Sequence, residues 1–396
     1  IFPDPVSRMI DEERRESFRN ENHFESRYYF TLVYLPPSET ESKIAGFFLE
    51  RPGDKGISYK EVLASYQGEV TRVLNLLQSV LPEIRALSDD EMLTYLHGCV
   101  SEKEHPIVTP SNPMYLDAVL CDTPLTPGFE PRLGKLNLAV IGVKGFPGYS
   151  EPGLLDRLNR LCVEYRWVSR FIFLDKAQAE AELGSYKRRW FSKRKGIVTL
   201  VKETITGSQS VMEDSDAVNK AMDADQALQE LSDDAVSFGY FTTSVVLRNE
   251  DAKTLSFQAR EVEKVINSLG FATKLEDVNS VDAWLGTAPG NTRNNVRRPL
   301  INTLNLAHLM PLSAVWAGAE RDTHLGAPPL FVARTSGSTQ CRYVLHMGDV
   351  GHTMVIGPTG AGKSVLLNMM EAQFRRYPDS QVYIFDKGGS ARTLTY

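Results

Sequence analysis

The stretch Gly357-Pro358-Thr359-Gly360-Ala361-Gly362-Lys363-Ser364 constrains this chain more than any other. It satisfies G-x-x-x-x-G-K-[ST] at every fixed position. Residues 353–356 before it read as a hydrophobic strand. Residues 364–377 after it read as a helix, ended by Pro378. Strand, glycine loop and helix in that order form the context in which the pattern wraps a phosphate. The glycines bring backbone N–H groups up to an anion that side chains would hold off. The helix adds its unpaired first-turn N–H groups and the positive end of its dipole. In such a loop Lys363 neutralises the β- and γ-phosphates, and the Ser364 hydroxyl ligates Mg²⁺. The expected cofactors are therefore ATP and Mg²⁺.

A second hydrophobic strand is expected at 381–385, ending in Asp386. One reading makes it a Walker B strand whose carboxylate holds Mg²⁺ through water. The other makes it a neighbouring strand that leaves Asp386 and Lys387 near the nucleotide. The second fits the spacing better, because the strand follows the loop helix immediately. Either way Asp386 counts among the candidate nucleotide-site residues. On the second reading the hydrolytic carboxylate falls beyond Tyr396, and the chain binds nucleotide without completing hydrolysis alone.

Upstream the texture differs. Helices are expected at 6–26, 59–81, 89–98, from Lys176 onward, at 213–237 and at 252–269. Strands are expected at 28–35, 136–143, 165–174, 241–248 and 271–275, and a hairpin at 330–334 and 341–346 around Ser336-Gly337-Ser338. Gly207-Ser208 should break the helical region, and 106–131 reads as proline-rich and irregular. No βα unit repeats. The expected architecture is an α+β region over 1–330, in one or two subdomains, followed at 331–396 by the start of an α/β P-loop domain.

Composition excludes several classes. The 396 residues carry 44 Lys+Arg against 50 Asp+Glu, a net charge of −6. That balance argues against a dedicated nucleic-acid binder. Cys99, Cys121, Cys162 and Cys341 show no CxxC spacing, so neither a zinc ribbon nor a redox motif is indicated. No basic n-region precedes an apolar run near the N-terminus, so no signal peptide is expected. Residues 299–319 contain no Asp, Glu, Lys or Arg, yet Asn302, Asn305, His308 and Pro311 make them a poor membrane span. They read as buried or interfacial, with His308 a packed histidine. His346 and His352 have no partner cluster that would suggest a metal.

The run 187–195 holds six basic residues in nine, with Trp190 and Phe191. It is either a contact for phosphate or lipid headgroups or a solvated helix face with aromatics turned inward. Arg293, Arg297 and Arg298 form a smaller cluster, suited equally to a phosphate or subunit contact or to a structural ion pair.

The run Gly348-Asp349-Val350-Gly351-His352-Thr353, leading into the glycine loop, resembles the VirB/TrbE/CagE family of type IV secretion and conjugation ATPases. So do Phe385-Asp386-Lys387-Gly388, Pro289-Gly290-Asn291 and Asn295-Val296-Arg297-Arg298-Pro299. The stretch from Leu300 to His308 and on to Gly318 is most similar to the TrbE branch. The resemblance covers about residues 284–396. It implies an N-terminal docking region, then a RecA-like motor domain that forms hexamers on the cytoplasmic face of the bacterial inner membrane. Implied partners are inner-membrane components of a secretion channel. It also implies that Asp386 is not the Walker B carboxylate. The expected function is an ATP-binding, energising subunit. A DNA-translocating motor of the same superfamily and a nucleotide-gated docking scaffold are the alternatives.

Overall fold

In a computed structural model the described residues are 5–20, 23–34, 59–81, 83–147, 149–194, 226–233, 235–291, 293–311, 315–335 and 339–395, with backbone alone at 6, 7, 20, 59 and 187–194. The elements run α1 (Pro5–Asn20), α2 (Tyr59–Gln78), α3 (Asp89–Val100), α4 (Leu116–Leu120), β1 (Leu125–Thr126), β2 (Arg132–Leu133), β3 (Leu136–Gly145), a 3₁₀ turn (Leu154–Arg160), β4 (Arg166–Phe173) and α5 (Lys176–Arg194). After these come β5 (Phe238–Asn249), α6 (Ala252–Ser268), β6 (Ala272–Leu275), α7 (Ser280–Leu285), β7 (Leu300–Asn302), α8 (Thr303–Leu309), β8 (Phe331–Arg334), β9 (Gln340–Tyr343), α9 (Lys363–Phe374) and α10 (Arg392–Thr395). Residues 226–232 are also helical.

β5 organises the sheet. β3 runs antiparallel to it from Asn137↔Asn249 to Gly142↔Ser244. Where β3 ends, β7 continues the same edge, from Phe238↔Asn302 to Tyr240↔Leu300. β4 covers the other edge along its whole length. β2 and β6 pair with the outer edge of β3, and β1 extends β2. Every pairing is antiparallel, as expected of an α+β region without repeated βα units.

Alternation along the strands separates two cores. Ile141, Val143, Phe241, Val245 and Leu247 face α6, whose Leu255, Ala259, Val262 and Ile266 form one stripe at helical spacing. Leu138, Val140 and Val246 face the opposite side and pack with Leu133, Ala283 and Trp284. A third cluster joins Ala179 and Leu183 of α5 to Leu231 and Phe238. α6 is capped by Asp251, whose side chain accepts from the Thr254 amide. α3 begins with a capping box in which Ser88 and Glu91 satisfy each other's amides.

The hairpin β8–β9 forms as the sequence indicates, from Phe331↔Tyr343 to Arg334↔Gln340. Its Leu330 and Phe331 pack with Tyr377 against Met369, Met370 and Phe374 of α9. This cluster is separate from the sheet cores. α1 packs against α9.

Three expected strands are not strands. Residues 28–34 are extended but unpaired, and Tyr28, Tyr29 and Phe30 stay largely exposed. Tyr29 stacks on Tyr95 instead, with ring centroids 4.0 Å apart. Residues 353–356 and 381–385 likewise make no ladder among the described residues. Aromatic and β-branched composition favours a pleated, half-buried surface, but a strand exists only where a neighbour supplies hydrogen bonds. Helix α1 is described over Pro5–Asn20, and residues 23–26, expected to continue it, are not helical. Gly207-Ser208 and 213–225 lie outside the described residues.

Within 299–319, β7 takes Leu300–Asn302 and α8 takes Thr303–Leu309, with Ile301 and Leu309 in the sheet core. His308 Nδ1 lies 2.8 Å from the Ser150 hydroxyl, a packed histidine as expected. No described helix is long and apolar enough to cross a membrane. The four cysteines are free.

Phe241 has no exposed surface, whereas Phe257 on the outer face of α6 is 66% exposed. Phe241→Ala should cost about 3–5 kcal/mol and Phe257→Ala about 0.5 kcal/mol or less, as read by chemical denaturation of the chain.

Candidate nucleotide-binding site

Gly360 and Gly362 both have φ near +83°, the left-handed region that glycine alone adopts without strain. A Cβ at either position would meet nothing within 4 Å, so backbone conformation, not space, demands glycine there. The loop turns through Ala361, whose amide donates to the Pro358 carbonyl at 3.3 Å. It delivers the chain into α9 with Gly362 as the cap and Lys363 as the first helical residue. Gly362 has no side chain with which to cap. The first-turn amides of Lys363, Ser364 and Val365 therefore point out of the helix end with no intrahelical acceptor. Lys363 Nζ folds back over the loop and donates to the Pro358 carbonyl at 2.7 Å. Thr359 and Ser364 are exposed beside it. The loop thus presents N–H groups, one ammonium and one hydroxyl, the groups that suit a polyphosphate with its metal.

Asp386 is arranged differently from the rest of this set. One carboxylate oxygen accepts from the Gly388 amide at 2.9 Å. The other accepts from the Ala391 amide at 2.8 Å and the Ser390 hydroxyl at 3.1 Å. The side chain thus closes the turn leading into α10. Hydrogen bonds from the Ala391 and Gly388 amides hold its carboxyl below the usual carboxylate range. Asn368 of α9 ties the same turn to the loop helix through the Ser390 carbonyl at 3.0 Å. Glu371 lies one turn further along α9. Its Oε2 is buried without a hydrogen bond, and burial, then the charge of Asp386, push its carboxyl up. The sequence carries no signal for Glu371, because its environment is set by a turn that folds back fifteen or so positions later.

The approach to the loop rests on a buried carboxylate. Asp322 is 1% exposed and accepts from the amides of His324 and Leu325 at 3.0 Å and from His346 at 3.0 Å. Burial pushes its carboxyl up, but these partners outweigh it and the net shift is downward. His346, for which sequence spacing suggests no partner, thus has one in the buried Asp322 carboxylate. His352 is exposed.

Two members of the arginine cluster, Arg297 and Arg298, have structural partners, while Arg293 is exposed. Arg297 makes a two-pronged pair with Glu276 at 2.5 and 3.0 Å, and Glu276 is buried. The Arg298 guanidinium sits 5.3 Å from the Tyr240 ring centre. The backbone of 187–194 is helical, as expected.

Residues 1–42 match the family described as type IV secretion system ATPase VirB4/TrbE, N-terminal domain. Residues 201–297 match the CagE, TrbE, VirB family, component of type IV transporter system. A conjugal transfer protein TrbE from Rhizobium radiobacter is 36% identical over all of this chain and 50% of its own length. A probable conjugal transfer protein TrbE from Sinorhizobium fredii is 38% identical over 77% of this chain and 46% of its own length. A type IV secretion system protein virB4 from Bartonella henselae is 21% identical over 96% of this chain and 47% of its own length. The chain belongs to the VirB/TrbE/CagE family of type IV transport components. Within it, identity is higher to the TrbE proteins than to virB4. The chain spans about half the length of the curated relatives it matches.

Because the Asp386 carboxyl is depressed in the fold, its hold on the turn is complete above the ordinary Asp range and fails only as pH drops through the lower, folded value. An NMR titration should show the Gly388 and Ala391 amide shifts moving below the ordinary Asp range. Asp386→Asn should speed exchange of the Ala391 amide at neutral pH.

Proposed function

We propose that this chain is the ATP-binding, energising portion of a type IV secretion and conjugation ATPase. It binds Mg-ATP on residues 357–364, and ATP binding and hydrolysis in the assembled protein move channel or pilus components. The observation that carries this reading is the loop itself. Two left-handed glycines lead into an uncapped helix end with Lys363 held over it. The names of the TrbE and virB4 relatives agree with it.

In this reading residues 331–396 belong to a RecA-like P-loop domain and 1–330 form the docking region. The separate core around Leu330, Phe331 and Tyr377 supports that boundary. The exposed apolar side chains of Met354, Ile356, Tyr383 and Phe385, the last 98% exposed, suit segments that pair into a sheet in the longer protein. Asp386 then shapes the nucleotide site through its turn, and Ser364 alone of these residues reaches Mg²⁺. α1 and the segment after it link the two regions, with Arg376 3.9 Å from Asp11 and Arg342 3.6 Å from Glu25. Partners are inner-membrane components of the channel and further copies of the chain, assembled as a hexamer. The location is the cytoplasmic face of the bacterial inner membrane, with attachment through those partners and aid from the basic run 187–195.

Lys363→Ala should weaken Mg-ATP binding roughly ten- to a hundredfold in calorimetry, since a charge-assisted contact contributes about 1.5–3 kcal/mol. Equal affinity for both proteins would overturn the reading. A DNA motor would instead show tight, steeply salt-dependent DNA binding. A scaffold would assemble normally and support transfer with Lys363 replaced.

High salt should release the protein from membranes, because the Debye length falls from roughly 10 Å at 0.1 M to 3 Å at 1 M. Retention after a salt wash, in cells without channel partners, would contradict peripheral attachment.

A further inference from the structure

Outside the nucleotide site, one group of side chains converges with no evident structural purpose for all its members. His97 of α3, His105 in the following loop and Asp122 after α4 each offer a ligand atom, and these atoms lie within 4.8 Å of one another. His97 is 1% exposed, yet its Nε2 is buried with no aligned hydrogen bond. That atom faces Asp122 Oδ2 at 3.3 Å. Burying a polar nitrogen without a hydrogen bond costs about 1–3 kcal/mol, so such atoms call for an explanation. The His97 and His105 rings meet edge to face, with centroids 4.6 Å apart.

We infer that His97, His105 and Asp122 bind a divalent transition metal, zinc in the first instance, that clips α3 to the irregular segment after it. Two imidazoles and a carboxylate form a borderline donor set, which favours Zn²⁺ over the all-oxygen preference of Mg²⁺ or Ca²⁺. With bonds of about 2.0–2.1 Å, neighbouring ligand atoms of a tetrahedral zinc stand about 3.3 Å apart. The His97–Asp122 pair already has that spacing. His105 is exposed on a loop and can close the remaining gap. A water completes the coordination.

The surroundings fit this role. The Ser101 hydroxyl donates to Asp122 Oδ1 at 2.6 Å, orienting the carboxylate. Ser101 first, then Thr123, His97 and Lys103, hold the Asp122 carboxyl below the usual range, so it is ionised at neutral pH, as a ligand must be. Residues 101–115 and 121–131 contain little regular structure, and side chains pin their backbone: Thr94 accepts from the Ile107 amide and Asp90 from the Thr109 amide. A metal would add one more fastening. Lys103 opposes it, with Nζ 3.3 Å from Asp122 Oδ2, but this side chain is 54% exposed and free to swing into water.

The test is titration of the full chain with Co²⁺, read by its visible ligand-field absorption, followed by displacement with Zn²⁺. One equivalent should bind in a four- or five-coordinate site without thiolate charge-transfer bands. His105→Ala should weaken binding by about tenfold or more, with circular dichroism unchanged, because this residue is exposed. Lys103→Gln should strengthen it. Cys121→Ser, next to Asp122, should change nothing. The inference is overturned if Co²⁺ keeps the weak spectrum of the hydrated ion, if His105→Ala binds like the parent, or if Cys121→Ser abolishes binding.

Discussion

Burial of one face of the β3–β5 pair under α6 is the interaction on which the remaining structure depends. Phe241, Ile141 and Leu247 lose all exposure there, against Ala259, Val262 and Ile266. Each large apolar side chain so buried contributes on the order of 1.5–3 kcal/mol. β5 has β4 on one edge and β3 and β7 on the other. A slip of one residue in its register would exchange the side chains of its two buried faces and unmake both cores. The register also places Trp284 and Ala283 on the far face, and the Arg297–Glu276 pair beside β3.

The phosphate loop depends on this core only indirectly. Its own support is the small cluster of Leu330, Phe331 and Tyr377 beneath α9, with Arg376 donating to the Pro329 and Leu330 carbonyls at 2.9 and 2.8 Å. Asp322 and His346 secure the entry, and Asp386 and Asn368 secure the exit. The loop is thereby held at both ends, while its glycines leave the interior open. Rigid flanks around an accessible centre are what a binding loop requires.

Family membership also explains why the N-terminal half resists a reading by motif. Packed cores tolerate varied apolar sequence, whereas backbone geometry fixes the residue types of a glycine loop. The matched segments, residues 1–42 and 201–297, fall outside the loop altogether. Similarity to TrbE proteins is therefore carried by the whole chain and not by the loop alone.

Much of the fold is legible in the residues. Periods of 3.6 and 2 locate α2, α3, α6, α9 and strands β3, β4 and β5, because each pattern records which face of a local element meets the core. The glycine spacing at 357–364 marks the tight turn, since left-handed backbone at Gly360 and Gly362 is a local requirement. Tertiary structure decides what depends on distant neighbours. β3 meets a partner that begins about a hundred residues later, where Asn137 pairs with Asn249. Residues 28–34, 353–356 and 381–385 have strand composition but no strand beside them among the described residues. Asp386 spends its oxygens on its own turn. His97, His105 and Asp122 converge although no spacing rule joins them. Hydrogen-bond partners and metal ligands are matters of position in space, and a local pattern of residue types records only the element each belongs to.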